Sequence, residues 1–367
     1  LDLRWRGDTA RGNELLGLLA RLGFRTAPYS PACLRANEDA EGRALIRALG
    51  IAAFGAMNVM LVSIAVWVGE DMGAHTREVM HWLAALIGLP TVLVAGMPFY
   101  RSAANALRAA GVQAGDRVAV QIAKSPEALA LYAASVSIGA VFLPLNPAYT
   151  PPEVGYFLTD ATPRLFICDP AKANALAEVA SQTTLKTLDA KGAGSFGADM
   201  AQADWQFVPE ARHGADLAAI LYTSGTTGRS KGAMLTHDNL LSNAQTLSDL
   251  WRFTPQDVLL HALPIFHTHG LFVASNVSLL TGGQMIFLSG FDVEAVLGLL
   301  PQATALMGVP TFYTRLLEDA RFDRAVTAHM RLFVSGSAPL LADTHRQFHA
   351  RTGQSILERY GMTETNM

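Results

Sequence analysis

The pattern of hydrophobic and polar positions changes near residue 104. Before it, residues 48–69 and 80–100 are two uncharged stretches, the second interrupted by Pro90. Each has about the ~20 residues that a membrane-spanning helix needs. Arginines flank both stretches, which places both ends on the cytoplasmic side by the positive-inside rule. The pattern predicts a transmembrane hairpin over 42–103, with helices at about 46–69 and 80–100 and the loop EDMGAHTRE between them; two buried core helices of a soluble protein are the alternative.

After residue 104, apolar runs of strand length alternate with helix-like stretches. This alternation predicts an α/β fold in which helices cover a parallel sheet. The Gly- and Ala-rich stretch 188–204 is typical of a surface connection. The predicted strands are 117–123, 140–145, 164–169, 217–223, 284–288 and 331–337, and the predicted helices are 125–139, 236–251 and 344–353.

The composition adds a few constraints. The 367 residues leave room for two or three domains, and the apolar share of 50% with 16% charged residues favours a membrane component. The net charge of −3 is too small to argue for nucleic acid or an acidic surface partner, and no nucleic-acid partner is expected. Cys33 and Cys168 lie far apart without a CxxC motif, so neither a disulfide framework nor a zinc site is indicated. Both chain ends are expected to be cut ends, because the first residue is not Met and the last ones form no turn or cap.

The clearest chemical signal is the stretch YTSGTTGRSKG at 222–232. It follows the apolar run LAAIL and precedes a helix that begins at Thr236, so it is predicted to be a strand-to-helix turn. Backbone N–H groups, hydroxyls and the Lys231 ammonium suit phosphate oxygens. The spacing differs from that of a Walker A loop. A flexible Ser/Gly turn is the alternative.

This stretch resembles the signature loop of the adenylate-forming acyl- and aryl-CoA synthetases. Three further stretches match that family in order, and the whole of 105–367 is similar to its malonyl-CoA synthetases. The matching phrases include GDRVAVQ, LPLNPAYT, VPTFYTRLL and GMTETNM. The three further stretches are LPIFHTHG (263–270), SGSAPL (335–340) and ERYGMTET (358–365).

The resemblance implies that 104–367 is the AMP-binding N-terminal domain of such an enzyme, truncated at both ends. The implied reaction converts malonate, ATP and coenzyme A to malonyl-CoA, AMP and diphosphate through a malonyl-adenylate, with Mg²⁺ as the metal. In the family, a small C-terminal domain supplies a lysine for adenylation and the surface that admits coenzyme A. Without it, we expect impaired turnover.

The resemblance also implies roles for individual residues. Lys231 is a catalytic and phosphate-binding residue, and Thr363, also catalytic, contacts the α-phosphate. Glu364 is catalytic and holds the metal, although a solvated loop carboxylate is the alternative for it. The remaining phosphate-binding residues are Thr223, Ser224, Gly225, Thr226, Thr227 and Gly228, and the adenine and its surroundings are assigned to Tyr360, Gly361, Ser337, Ala338 and Pro339.

Two histidines lie in LPIFHTHG. The pair His267 and His269 has no third ligand nearby, so a metal site is not favoured. The family resemblance places His267, a catalytic and substrate-binding residue, near the acyl carboxylate. A packed core histidine is the alternative for His269.

Arg315 is expected to decide the substrate. The apolar residues before it are an unusual setting for a guanidinium that has no anionic partner. A dicarboxylic acid keeps a second carboxylate for which Arg offers a planar fork. The family resemblance assigns that carboxylate to Arg315 with Ser337. The alternative is an outer-face arginine paired with Glu318 or Asp319.

Residues 1–103 do not resemble this family. Residues 1–30 are similar to part of a heavy-metal-associated ferredoxin-like domain, and the hairpin is similar to the first two membrane helices of heavy-metal P-type ATPases. The chain is therefore expected to be a chimera, with a cytoplasmic ligase domain anchored to the inner membrane if the hairpin is genuine. The alternatives are a component of a cation-transporting ATPase, another short-chain acyl-CoA synthetase, and a tethered module that binds ATP or acid without turnover.

Overall fold

The computed structural model describes residue 76 and residues 100–204, 206–223 and 229–366. Within these ranges, residues 100–109 are helical and two β-sheets follow, one of six strands and one of five. The strands are β1 (Arg117–Gln121), β2 (Val141–Pro144), β3 (Leu165–Cys168), β4 (Thr184–Thr187), β5 (Leu217–Thr223), β6 (Lys231–Thr236), β7 (Val258–His261), β8 (Gln284–Phe287), β9 (Ala305–Gly308), β10 (Leu332–Ser335) and β11 (Ile356–Glu358).

The helices lie between these strands, as the alternating pattern predicts. The α-helices are α1 (Pro126–Ser137), α2 (Pro151–Ala161), α3 (Ala173–Leu176), α4 (Ser195–Gln202), α5 (His237–Leu250), α6 (Asn276–Thr281), α7 (Val293–Leu299), α8 (Pro310–Glu318) and α9 (Ala342–Thr352). A π-helical segment, His269–Ser275, runs directly into α6, and short 3₁₀ turns cover Pro170–Lys172, Leu300–Gln302 and Thr363–Thr365.

The first sheet has the strand order β4-β3-β1-β2-β5-β6. Its strands are parallel except at the edge, where β6 pairs antiparallel with β5. Every residue of β2 and β3 is buried, which explains why these strands have continuous apolar sequences rather than alternating ones. Helix α1 begins after Ser125, whose hydroxyl accepts a hydrogen bond from the Ala128 amide, with Pro126 in the first turn.

The second sheet is entirely parallel, with the strand order β11-β10-β9-β7-β8. The chain leaves β7 toward β8 and then crosses to β9 on the other side. In open parallel sheets, ligands bind outside the carboxyl ends of the strands at such a reversal of direction. The carboxyl edge near β7 and β9 is therefore where a binding site is expected.

Two sequence expectations need correction here. The 222–232 stretch is not a strand-to-helix turn: it joins β5 to the antiparallel strand β6, and only then does α5 begin, capped by Thr236. The stretch 188–204 is not only a surface connection. It contains α4, whose Phe196 and Met200 are buried in the core of the first sheet, because these two apolar residues share one helical face.

The N-terminal expectations fall mainly on residues outside the described ranges. The ferredoxin-like segment 1–30 lies entirely outside them, as does almost all of the hairpin 42–103. Thr76, assigned from the sequence to the loop, is helical and exposed. Within the described residues, no helix combines the length and the apolar character required to cross a membrane.

Candidate active site

The four matching stretches lie at the carboxyl ends of strands. The loop after β7 carries His267, α8 follows β9 and carries Arg315, and the SGSAPL stretch continues from β10. The ERYGMTET stretch continues from β11, and Thr223 ends β5 in the first sheet. Parallel strands of a sheet end at one edge, which brings residues that are far apart in sequence near each other, as the contacts of His269 with Ser337 and of Thr223 with Glu364 show.

Thr223 and Glu364 are brought together across the two sheets. The Thr223 hydroxyl donates a hydrogen bond to Glu364 Oε1 over 3.3 Å. Lys231 is the first residue of β6 and lies opposite Thr223 in the antiparallel ladder, with an exposed side chain. The backbone just after Glu364 is held by Asn366, whose side-chain amide donates a hydrogen bond to the Asn239 carbonyl over 2.8 Å. Of the predicted phosphate and metal residues, Thr223, Lys231 and Glu364 thus lie close together where β5 ends and β6 begins.

Five predicted phosphate-binding residues cannot be placed in this way. Residues 224–228 lie outside the described part of the chain, so the roles of Ser224, Gly225, Thr226, Thr227 and Gly228 stay predictions.

His269 is buried, as its alternative assignment predicted, but its ring is not fully satisfied. Its Nδ1 lies 3.2 Å from Ser337 Oγ, and its Nε2 is buried with no hydrogen-bond partner among the described residues. Burial, together with the nearby Arg359 guanidinium, lowers the pKa of His269 to about 3. The ring is therefore neutral at physiological pH and contacts the SGSAPL stretch.

The SGSAPL stretch has a constrained backbone. Ser337 has a φ of 68°, in the left-handed region that costs a non-glycine residue about 1–2 kcal/mol. Gly336 precedes it, and a Cβ there would lie only 3.0 Å from Arg359 Cγ and 3.2 Å from His269 Cε1. A larger residue there would therefore force these two side chains to shift by a few tenths of an ångström. Ser337, Ala338 and Pro339 are exposed and so are accessible to a ligand.

His267 lies in the loop after β7. Its side chain is exposed, and its ring centroid lies 4.4 Å from that of Phe266. Partial removal of water by the surrounding protein lowers the pKa of His267, which favours the neutral imidazole. A neutral imidazole both donates and accepts hydrogen bonds, so His267 is able to hold a carboxylate through an N–H group.

Arg315 is exposed rather than enclosed by apolar residues, which corrects the expectation from the sequence. It lies on an outer helical face because Phe312 and Leu316 occupy the buried face of α8. Its guanidinium carbon lies 5.1 Å from the centre of the Phe291 ring, which is stacked on Phe312 with centroids 3.9 Å apart.

The carboxylate partner proposed in the alternative assignment is not found. Asp319 pairs with Arg321 at 2.7 Å, and no carboxylate of the described residues forms an ion pair with Arg315. The Arg315 guanidinium is thus held by an aromatic ring and keeps its hydrogen-bond donors for an anion.

The ERYGMTET stretch is accessible at its middle. Tyr360 is 87% exposed, which leaves a ring face free for stacking, and Gly361 and Thr363 are half-buried beside it. Glu358 was missed by the sequence analysis: its carboxylate accepts a hydrogen bond from the Leu340 amide at 3.1 Å. It thereby links the end of β11 to the end of SGSAPL. Phe291 was missed as well, because only the fold brings it under Arg315.

The donor set fits a magnesium nucleotide. Among the described residues, no group of three or more His, Cys, Asp or Glu side chains could hold a metal ion by itself. Mg²⁺ commonly binds through one or two carboxylates together with substrate phosphates and water. The adjacent oxygens of Glu364 and Thr223 offer that chemistry.

The fold and these stretches define the nucleotide-binding part of an adenylate-forming enzyme. The profile of the AMP-binding enzyme family matches residues 100–367, and the chain belongs to this family. The chain is 59% identical to ATP-bound MatB from Rhodopseudomonas palustris, with a TM-score of 0.73, over 74% of this chain and 55% of that structure.

The curated relatives are named for different acid substrates. A feruloyl-CoA synthase of an Amycolatopsis species is 37% identical over 263 residues, covering 71% of this chain and 52% of that protein. The human mitochondrial malonate–CoA ligase ACSF3 is 32% identical over 268 residues, covering 69% and 46%. The chain spans about half the length of the relatives that it matches.

Proposed function

We propose that this chain carries the acid-activating site of a malonate–CoA ligase. In the reaction, a carboxylate oxygen of malonate attacks the α-phosphorus of ATP, the bond to the diphosphate breaks, and malonyl-adenylate forms. The malonyl group then passes to the thiol of coenzyme A, with release of AMP. The names of several relatives support this activity.

The main support for malonate as the substrate is the setting of Arg315. After one carboxylate of malonate has reacted, the second keeps its charge and needs a partner. Arg315 has no carboxylate partner within the described structure and is held by the Phe291 ring. We assign the second carboxylate to this guanidinium, with Ser337 as a further donor. A monocarboxylic acid has no group for this arginine.

The remaining residues are assigned by chemistry. The neutral His267 ring holds the reacting carboxylate through an N–H group. Lys231 and Thr223 face the phosphates, and Thr363 donates to the α-phosphate. When bound, Mg²⁺ would reduce the repulsion between the carboxylate and the phosphates. Its ligand from the protein is Glu364.

The adenine is assigned to the face of Tyr360. Ser337, Ala338 and Pro339 form the wall beside it, and Gly361 leaves room next to the ring. The exposure of the Tyr360 ring and of Ser337, Ala338 and Pro339 supports this assignment, because core packing does not occupy these side chains.

The test is malonate-dependent exchange of labelled diphosphate into ATP. Arg315→Ala is expected to raise the KM for malonate roughly 10- to 150-fold, the equivalent of a charged hydrogen bond worth about 1.5–3 kcal/mol, while the KM for ATP is unchanged. Arg321→Ala is the matched control, because this exposed arginine already pairs with Glu294 and Asp319. An unchanged KM for malonate in Arg315→Ala would refute the assignment.

Feruloyl-CoA synthase is a relative at 37% identity, so an aromatic acid is the competing substrate. The exposed cation of Arg315 favours a dicarboxylate over it. Transport of metal cations is not proposed, because the family match over 100–367 is to AMP-binding enzymes. Membrane attachment through residues 46–100 stays a prediction from the sequence.

A further inference from the structure

Lys124 connects the carboxyl edges of the two sheets. It follows β1 of the first sheet by three residues, and its side chain reaches the last residue of β7 in the second. The Nζ atom donates to the His261 carbonyl over 2.7 Å and lies 2.9 Å from Nδ1 of the same residue. It also lies 4.2 Å from the centre of the Phe287 ring at the end of β8. No ion pair between Lys124 and a carboxylate exists among the described residues, so the contact is not a surface salt bridge.

The partners of His261 fix its protonation. Its Nε2 lies 2.9 Å from the Gly270 carbonyl, which can only accept, so Nε2 carries the hydrogen. Nδ1 of the neutral ring is then an acceptor, and Lys124 is its donor. Burial, with the nearby Lys124 charge, lowers the pKa of His261 to about 3, which agrees with a neutral ring.

These bonds close a loop. His261 precedes the LPIFHTHG stretch and Gly270 ends it, so the Nε2–H···O bond joins the two ends of the segment 261–270. Lys124 holds the first of these ends by both its backbone and its ring. His267 and His269 lie inside the closed segment and receive their positions from it.

We propose that Lys124 is a positioning residue: it fixes the segment 261–270 against the first sheet and so places His267 and His269 for acid activation. The consequence for catalysis rests on the proposed function, whereas the positioning itself does not. Lys124 needs two N–H donors for its two acceptors, and a neutral amine has two. Burial lowers the pKa of Lys124 to about 7, so the contact does not require a charged form.

The positioning is tested by histidine modification with diethyl pyrocarbonate, read by peptide mass spectrometry. Lys124→Met keeps the length of the side chain and removes its donors. We expect carbethoxylation of His261 and His269, which are 1% and 3% exposed in the intact protein, to accelerate roughly tenfold or more, the scale of the two hydrogen bonds that Lys124 loses. The exposed His213 and His329 serve as internal references for global unfolding.

The matched control is Lys172→Met. Lys172 is also half-buried and its ammonium also donates to a backbone carbonyl, that of Pro147, but this contact joins the segments that follow β3 and β2 of the first sheet and does not reach the second sheet. Its removal should leave His261 and His269 protected. Lys124→Gln, which keeps N–H donors, should restore part of the protection. If Lys124→Met is insoluble, His261→Phe replaces it: the ring keeps an aromatic shape but loses the acceptor for Lys124 and the donor for Gly270, so His269 should become reactive.

The activity measurement separates the two proposals. In malonate-dependent diphosphate exchange, Lys124→Met should lower kcat roughly tenfold or more and leave the KM for ATP within about twofold of the parent. Protected histidines in Lys124→Met, or equal exposure in Lys172→Met, would overturn the positioning role. Exposed histidines with an unchanged kcat would overturn its consequence for catalysis. If the parent shows neither exchange nor binding of malonate in the presence of ATP, the proposed function fails, and the histidine result still decides the positioning role.

Discussion

The aromatic ring under Arg315 permits a quantitative prediction. Phe291 lies 5.1 Å from the guanidinium carbon of Arg315 and stacks on Phe312 at an interplanar angle of 17°. Phe291→Leu keeps an apolar side chain of similar length and removes the ring face. The substitution should therefore loosen Arg315 without removing its charge.

The magnitude follows from the geometry. Arg315 is exposed, and a cation–π contact at an exposed site is worth about 0.5–1 kcal/mol. Each 1.4 kcal/mol corresponds to tenfold in affinity, so the KM for malonate should rise about two- to fivefold. The effect is smaller than that of Arg315→Ala, because the charge stays. Loss of the stacked Phe312 contact should also destabilise the fold by about 0.5–1.5 kcal/mol.

The assay is diphosphate exchange over a range of malonate and ATP concentrations. Phe207→Leu is the matched control, since Phe207 holds the Arg108 guanidinium at 5.0 Å outside the candidate site. In the Arg315→Ala background, Phe291→Leu should have almost no further effect on the KM for malonate. An unchanged KM for malonate in Phe291→Leu alone, or a full effect in the double variant, would show that Phe291 does not hold Arg315 for malonate.

Two further predictions concern a carboxylate each. Glu364→Gln should raise the Mg²⁺ concentration that gives half-maximal exchange roughly tenfold or more. Glu318→Gln, which changes an exposed carboxylate on α8, is the control. An unchanged Mg²⁺ dependence in Glu364→Gln would exclude Glu364 as a ligand. Asp257 is buried, which opposes its ionisation, but the Arg331 guanidinium at 2.5 Å and the Thr304 hydroxyl outweigh burial and lower its pKa. Arg331→Met should therefore lower the free energy of unfolding, measured with urea at pH 7, by about 2–3 kcal/mol. A lowered carboxyl pKa stabilises the fold only while the carboxyl is ionised. The difference between the variant and the parent should therefore shrink as the pH falls below about 4 and passes through the folded pKa of Asp257. A difference that persists at low pH would contradict the role of this ion pair.

Much of the α/β framework is predictable from the sequence. Buried parallel strands such as β3 and β10 have uninterrupted apolar runs, and α5 carries its cap signal at Thr236. The strand β6 was missed because KGAMLT is largely exposed or half-buried, so it lacks the apolar run of a central strand. Helix α4 was missed because it lies in a Gly- and Ala-rich stretch and has only two large apolar residues, Phe196 and Met200.

The candidate site was predictable only where a motif marks it. The motifs identified Thr223, Glu364 and His269. They did not show that Thr223 and Glu364 form a hydrogen bond over 3.3 Å, or that His269 contacts Ser337. Phe291 and Lys124 belong to no recognised stretch. Their roles depend on pairings more than 20 and 130 residues apart in sequence, respectively, which arise from the order of strands in the two sheets.

The central claim is that this site activates malonate. The most direct measurement is ATP–diphosphate exchange by the unaltered chain with malonate, propionate and ferulate in turn. Malonate should exceed propionate in kcat/KM roughly 10- to 150-fold, because only malonate offers a second carboxylate to Arg315. Equal exchange with propionate, or faster exchange with ferulate, would contradict the account.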